Sequence, residues 1–245
     1  MHILILQHAR VEHPGALRPL LKRDGHETTT IHLDEGETLP SLDGFDALWV
    51  LGGPMDVWED DLYPWLRAEK KIIREAVVDK NLPFLGLCLG HQLLAEALGG
   101  SCGKSDVSEV GIMDVDLTDE GRKSPFTSDL PTRFKCLQWH GAEVKKLPEN
   151  AVNLASSPAC KLQAMSWGNR ALSAQFHVEV ELDTVRNWSK IPAYKQSLEA
   201  ALGAQGASTL EDQIASRIAS FNRLAGSFYD KWHNLVRNPE TIGAE

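Results

Sequence analysis

Three short runs, Ile3–Leu6, Ala47–Leu51 and Phe84–Leu87, are almost wholly apolar. Runs of this length, bounded by turn-forming residues, predict strands buried on both faces, as in a parallel sheet. Thr28–Leu33 predicts a further strand. Between these runs the apolar period changes. Gly15–Arg23 predicts a helix, with Pro14 near its start, where a missing N–H does no harm. Tyr63–Val78 predicts another, carrying Leu66, Ile72, Ile73, Ala76 and Val77. Such alternation implies right-handed βαβ units and a doubly wound sheet.

The pattern changes after Gly99-Gly100. Ile112–Leu117, Phe134–Leu137, Glu143–Lys146, Val152–Ser156, Leu162–Ser166 and Ala171–Phe176 predict short strands separated by turn residues. They imply antiparallel hairpins that extend the sheet. Helices are predicted again at Leu182–Trp188 and Leu210–Trp232, with Gly203–Ser208 as a small-residue linker. Trp188, Phe221, Phe228 and Trp232 read as a stripe packing the last helix onto the core. Asn238–Glu245 has little to tie it down and is expected to be disordered. The expected class is α/β: a mostly parallel sheet over residues 1–190, with an antiparallel extension and a C-terminal helical segment over 191–245.

Composition narrows the function classes. With 245 residues, 42% of them hydrophobic, the chain can bury a sizeable core. Lys+Arg 25 against Asp+Glu 34 gives a net charge of −9, which argues against nucleic acid or an anionic membrane as partner. The acidic run Trp58-Glu59-Asp60-Asp61 reads as a solvated loop. Apolar stretches fall short of the roughly 20 residues of a membrane helix. The chain opens directly on Ile3–Leu6 without a basic region or cleavage site, so no signal peptide is expected. Cys88, Cys102, Cys136 and Cys160 form no C-x-x-C pair, and the simple reading is free thiols in the cytoplasm.

One of those cysteines carries chemistry. Residues 86–92 read Gly-Leu-Cys-Leu-Gly-His-Gln and follow the apolar run Leu82–Leu85. Gly-x-Cys-x-Gly is the spacing of a nucleophile elbow, where a strand turns sharply into a helix. The flanking glycines suit a strained turn with backbone passing close by. A helix N-terminus favours the thiolate and offers N–H groups to an oxyanion. Cys88 also needs a base and an orienting acid. Ala174–Glu179 offers both, because His177 and Glu179 are two apart in a strand-like stretch and share a side. Val50-Leu51-Gly52-Gly53-Pro54-Met55 has the form of a strand-end loop. The N–H groups of Gly53 and Leu89 are therefore the expected oxyanion hole. His91 is read as packing beneath the elbow, and Trp58, Tyr63 and Trp65 as a helix start packed on the sheet. His8, His13 and His91 lack the accompanying ligands of a metal site, so none is expected. No cofactor is expected either.

Together these segments resemble the class I (triad) glutamine amidotransferases. The family's G-x-C-x-G-H-Q elbow stands at Gly86–Gln92 and its glycine-rich loop at Gly52-Gly53-Pro54. Its F-H-P-E segment stands as Phe176-His177-Val178-Glu179, and its S-H-G-D segment, more weakly, as Gln138–Glu143. The resemblance covers about residues 1–190. It looks nearest the stand-alone members related to the amidotransferase domain of GMP synthase, which the start Gln7–Gly15 also resembles.

The resemblance implies a flavodoxin-like fold. It also implies glutamine hydrolysis through a γ-glutamyl thioester at Cys88, with His177 as acid and base. By the same resemblance Gly52, Gln92, Trp139, His140 and Gly141 contact a small γ-glutamyl substrate. Val178 replaces the family's proline, which should do little damage. Trp139 replaces a small serine and opens the question of substrate. The final 55 or so residues are too few for an ammonia-consuming domain. Two alternatives stay open: a γ-glutamyl peptidase acting on glutathione or its conjugates, and a non-enzymatic or partner-activated relative. The resemblance also leaves room for a separate ammonia-accepting synthase subunit as partner.

Overall fold

The computed structural model describes residues 1–237; Asn238–Glu245 lie outside the described residues. Among the described residues the sheet has nine strands: β1 (His2–Gln7), β2 (Glu27–His32), β3 (Ala47–Val50), β4 (Phe84–Leu87), β5 (Ser101–Leu117), β6 (Arg133–Lys146), β7 (Ala151–Ser156), β8 (Ala164–Trp167) and β9 (Ala171–Ala174). Their spatial order is β2-β1-β3-β4-β9-β8-β7-β5-β6. The first five in that order are parallel to their neighbours. The remaining pairings are antiparallel. The helices are α1 (Arg18–Arg23), α2 (Trp65–Arg74), α3 (Leu89–Ala97), α4 (Asp119–Lys123), α5 (Thr184–Trp188), α6 (Pro192–Leu202) and α7 (Gly206–Arg237).

The apolar runs are continuous because both faces of the parallel strands are covered. Ile3, Ile5, Ala47, Trp49, Leu85 and Leu87 face α1 and α7 in one core cluster. Leu4, Leu6, Leu48, Val50 and Phe84 face α2 and α3 in another. Residues one apart point to opposite faces, so each strand must be apolar throughout. Helix α7 enters the first cluster through Leu224, Phe228, Tyr229 and Trp232. The Trp232 indole N–H donates to the Phe84 carbonyl (3.0 Å), and its ring meets Trp49 edge-to-face at 5.3 Å. A third cluster joins Leu137 and Trp139 of β6 to α5, α6 and α7 at one end of the molecule.

Three sequence expectations need correction. Phe134–Leu137 and Glu143–Lys146 are one strand, β6, and its hairpin partner β5 starts already at Ser101. The polar stretch Gln138–Ala142, which divides them by hydropathy, is itself strand, and Gln138, Trp139 and His140 are buried. Helix α6 was not foreseen, because only Tyr194 and Leu198 of its residues are buried and the apolar period is correspondingly weak. Since α7 begins at Gly206, part of the expected Gly203–Ser208 linker is helical. Among the described residues no helix is long and apolar enough to cross a membrane.

Candidate active site

The loops leaving the carboxyl ends of β1, β3, β4 and β9 meet at one edge, the usual place for a ligand in such a sheet. Cys88 sits between β4 and α3 with φ +49° and ψ −103°, outside the regions open to most side chains. The surrounding backbone enforces this. A Cβ on Gly90 would lie 2.0 Å from the Val50 carbonyl oxygen, and one on Gly86 2.7 Å from that of Gly90. Helix α3 can therefore rest directly on β3 only if position 90 is glycine, and on β4 only if position 86 is. The Cys88 N–H donates to the Ala174 carbonyl (2.8 Å), tying the turn to β9. Cys88 is 6% exposed and lines a cavity.

Past β9 the chain passes beside β6, where the His177 N–H donates to the Leu137 carbonyl (2.9 Å). Within the buried site His177 Nδ1 pairs with Glu179 Oε1 at 2.7 Å. Among the described residues Nε2 has no hydrogen-bond partner. Burial works to lower the imidazole pKa and is the largest single influence, yet Glu179 and Cys88 together raise it well above the ordinary value. The rings of Trp188 and His177 meet edge-to-face, with centroids 4.5 Å apart. Trp188 thus packs against His177 and is not merely part of a helix-packing stripe.

Structure places several unforeseen residues around this pair. Gln175 Nε2 donates to Cys88 Sγ at 3.6 Å. Its Oε1 accepts from Gln92 Nε2 (3.1 Å), which also donates to the Ala142 carbonyl. The alternation 175, 177, 179 was visible in the sequence and would have put Gln175 on the same side as His177 and Glu179. Glu12, 2% exposed, accepts a hydrogen bond from the Tyr194 hydroxyl of α6. Its other oxygen is unpartnered among the described residues. Burial lifts the Glu12 carboxyl to about 7, against the opposing pull of His177. No local pattern could have joined Tyr194 to Glu12, which stands 182 positions away.

The glycine-rich loop closes the other side. A Cβ on Gly53 would fall 2.8 Å from each of His8 Cβ, Leu89 Cδ2 and Met55 Sδ. The cavity measures about 150 Å³. Of the residues named from sequence, Gly53, Cys88, Leu89, Gln92, Trp139, His140 and Gly141 line it, joined by Asp56, Ser108, Tyr194 and Ser197. Gly52, His177 and Glu179 are not on that wall; Gly52 packs behind it, against Glu12 and His177. The Trp139 indole N–H is engaged by Ser197 Oγ (2.8 Å), and His140 by the buried Glu109 (3.1 Å) and the Ala142 carbonyl (3.0 Å).

The other polar groups have local roles. His91 bonds Ser173 Oγ and the Leu162 carbonyl beneath the elbow, and burial holds it down at about 3. Burial pushes the thiols of Cys102, Cys136 and Cys160 upward. Donor atoms cluster in Glu12, His177 and Glu179 and, separately, in Asp24, His26 and His233. Both sets already have internal partners: Glu179 and Tyr194 in the first, Arg23 and the N-terminal amine in the second.

A buried thiol on a strained turn, beside an imidazole held by a carboxylate, is equipped for acyl transfer. The family model for class-I glutamine amidotransferases matches residues 16–187. The chain belongs to that family. Among curated proteins this amidotransferase is 28% identical over 235 residues to the glutamine amidotransferase-like protein YfeJ of Salmonella typhimurium, covering 94% of this chain and 97% of that one. It is 35% identical over 125 residues to a subunit of the glutamine-hydrolysing GMP synthase of Pyrococcus furiosus, covering 49% of this chain and 65% of the relative. The crystal structure of a glutamine amidotransferase from Thermotoga maritima superposes with a TM-score of 0.83 at 28% identity, over 95% of this chain and 97% of that one. One from Methylobacillus flagellatus gives 0.83 at 27% identity, over 95% and 94%.

Proposed function

We propose that this class-I amidotransferase hydrolyses the side-chain amide of glutamine by covalent catalysis at Cys88. The observation that carries the reading is the strained Cys88 turn, whose residue lines a small cavity and stands beside the buried His177–Glu179 pair. Cys88 Sγ attacks the amide carbon, and the displaced π electrons collect on the carbonyl oxygen, which the Gly53 and Leu89 N–H groups receive. His177, held by Glu179, takes the thiol proton through Nε2 and gives it to the leaving nitrogen, so ammonia departs and a γ-glutamyl thioester remains. His177 then removes a proton from water. The resulting hydroxide attacks the thioester, glutamate leaves, and the thiol is restored.

Gln92, Trp139, His140 and Gly141 form the wall for the amino-acid end of the substrate. Gly52 acts from behind by supporting the loop. In this reading residues 1–190 carry the chemistry and 191–245 add the Tyr194 and Ser197 wall. The ammonia acceptor is a separate synthase-type subunit, consistent with the relatives that are themselves subunits of a GMP synthase.

Glutamine is favoured over a γ-glutamyl peptide by the cavity. It is small, Trp58 does not line it, and the Trp139 indole is occupied by Ser197. The test exposes the chain to a diazoketone analogue of glutamine and measures ammonia release from glutamine in parallel. One adduct, on Cys88, with loss of ammonia release is expected. Adducts on Cys102, Cys136 or Cys160 would refute the assignment. A far higher kcat/KM for γ-glutamyl peptides would replace glutamine as substrate.

A further inference from the structure

Resting on that thioester chemistry, we infer that His8 and Glu69 are positioning residues that lock the oxyanion-hole peptide in its working orientation. His8 leaves the end of β1 and is fully buried, as is Glu69 on α2. His8 Nδ1 lies 2.9 Å from the Gly52 carbonyl oxygen, and Nε2 lies 2.8 Å from Glu69 Oε1. The ring also stacks on Trp65 at 5.4 Å.

Gly52's carbonyl can only accept, so Nδ1 carries a proton. Nε2 faces Glu69 Oε1, and that neighbour favours the protonated ring. The surroundings agree: burial opposes the charge and is the largest influence, but Glu69, the Gly52 carbonyl and the more distant Glu12 together raise the pKa.

The consequence lies in one peptide plane. The bond between Gly52 and Gly53 is trans, so its C=O and N–H point in opposite directions. Anchoring the carbonyl to His8 turns the Gly53 N–H to the opposite side of the plane. Gly53 lines the cavity together with Cys88 and Leu89. Two adjacent glycines have backbone freedom to flip this peptide, and such a flip would present a carbonyl to the developing oxyanion. The doubly bonded His8 holds it against that motion, and Glu69 holds the ring in place through Nε2.

The test compares variants in a Glu69→Gln background, so that no carboxylate is left buried without its partner. There the introduced side-chain amide can donate to Nε2 while Nδ1–H still reaches Gly52. His8→Phe removes the donor and keeps an aromatic ring on Trp65. His8→Asn places an amide N–H near the position of Nδ1, and His8→Gln near that of Nε2. Glutamine kcat and KM are measured, with alkylation of Cys88 by iodoacetamide as a readout that forms no oxyanion.

Relative to Glu69→Gln, His8→Phe should lower kcat about 100-fold, on the scale of losing one oxyanion donor, with KM and alkylation rate within about threefold. His8→Asn should recover at least about tenfold of that loss, and His8→Gln should not. Equal kcat for Asn and Gln, or a Phe variant within about threefold of its background, overturns the lock. If the Phe variant does not fold, the Asn–Gln contrast decides. If the unmodified chain folds but hydrolyses no glutamine, the functional reading fails separately. The lock is then decided by a crystal structure of His8→Asn beside His8→Gln in the same background: a Gly52–Gly53 peptide turned over only in the Gln variant upholds it, and an unturned peptide in both overturns it.

Discussion

The two halves of the sheet contribute to the site by different means. The parallel half supplies Cys88 and the Gly52-Gly53 loop, and there the backbone does the positioning: a left-handed φ, and glycines where neighbouring segments leave no room for a Cβ. The antiparallel half, with α5 and α6, supplies Trp139, Trp188, Tyr194 and Ser197, held by packing and hydrogen bonds between distant segments. Backbone constraints leave a local signature in the chain. Side-chain walls do not, because many residues can fill a wall once the neighbours are set. The difference teaches that the reacting atoms should tolerate almost no substitution, while the wall should tune what binds.

The largest effects should come from the reacting groups where the halves meet. Cys88→Ala and His177→Ala should each lower turnover by about 10⁴-fold or more, and the double variant should be little worse, since such groups act as a unit. Substantial hydrolysis by His177→Ala would break the proposed division of roles.

Next comes the loop of the parallel half. Gly53→Val would force a side chain into a space where even Cβ meets three atoms at 2.8 Å. A fall in kcat of about 100-fold or more is expected, with Cys88 still open to small alkylating agents. Equal losses in kcat and in alkylation would mean that the whole elbow had moved.

Glu12 tests the seam in a stability measurement. In the unfolded chain its carboxyl ionises near the ordinary 4.5, whereas in the folded protein it keeps its proton to about pH 7. Between these values the folded state holds more protons, so this residue's contribution to stability falls as pH rises. Glu12→Gln should therefore gain stability relative to the parent between pH 4.5 and 7, by on the order of 3 kcal/mol. Denaturant unfolding of both proteins across that range measures it, and a constant difference would refute the buried-acid account.

The smallest effect should lie on the wall. Tyr194→Phe removes one hydroxyl from Glu12 and leaves the ring against Trp139 and Trp188. A change in KM of about tenfold or less, exceeding any change in kcat, is expected for roughly one hydrogen bond. A collapse of kcat to the level of His177→Ala would move Tyr194 into the chemistry.

Much of the fold was legible for the same reason. Strands β1, β3 and β4 announced themselves because both faces are covered by helices, which demands uninterrupted apolar residues. Strand β6 did not. Its middle is buried yet polar, and Gln138 and His140 are accommodated only because Gln163 and Glu109 reach them from elsewhere. A hydropathy pattern cannot distinguish such a stretch from a loop.

By itself, the sequence determined the elbow, the His-x-Glu pair, the glycine loop and the family, since each rests on spacing within a few residues. Tertiary structure alone decided that Glu12 and Tyr194 meet beside His177, that Gln175 reaches Cys88, and that His8 and Glu69 hold the Gly52 carbonyl. Those contacts join residues 44 to 182 positions apart. Their energies come from burial and from satisfying polar groups removed from water, and neither exists until the chain has closed around them.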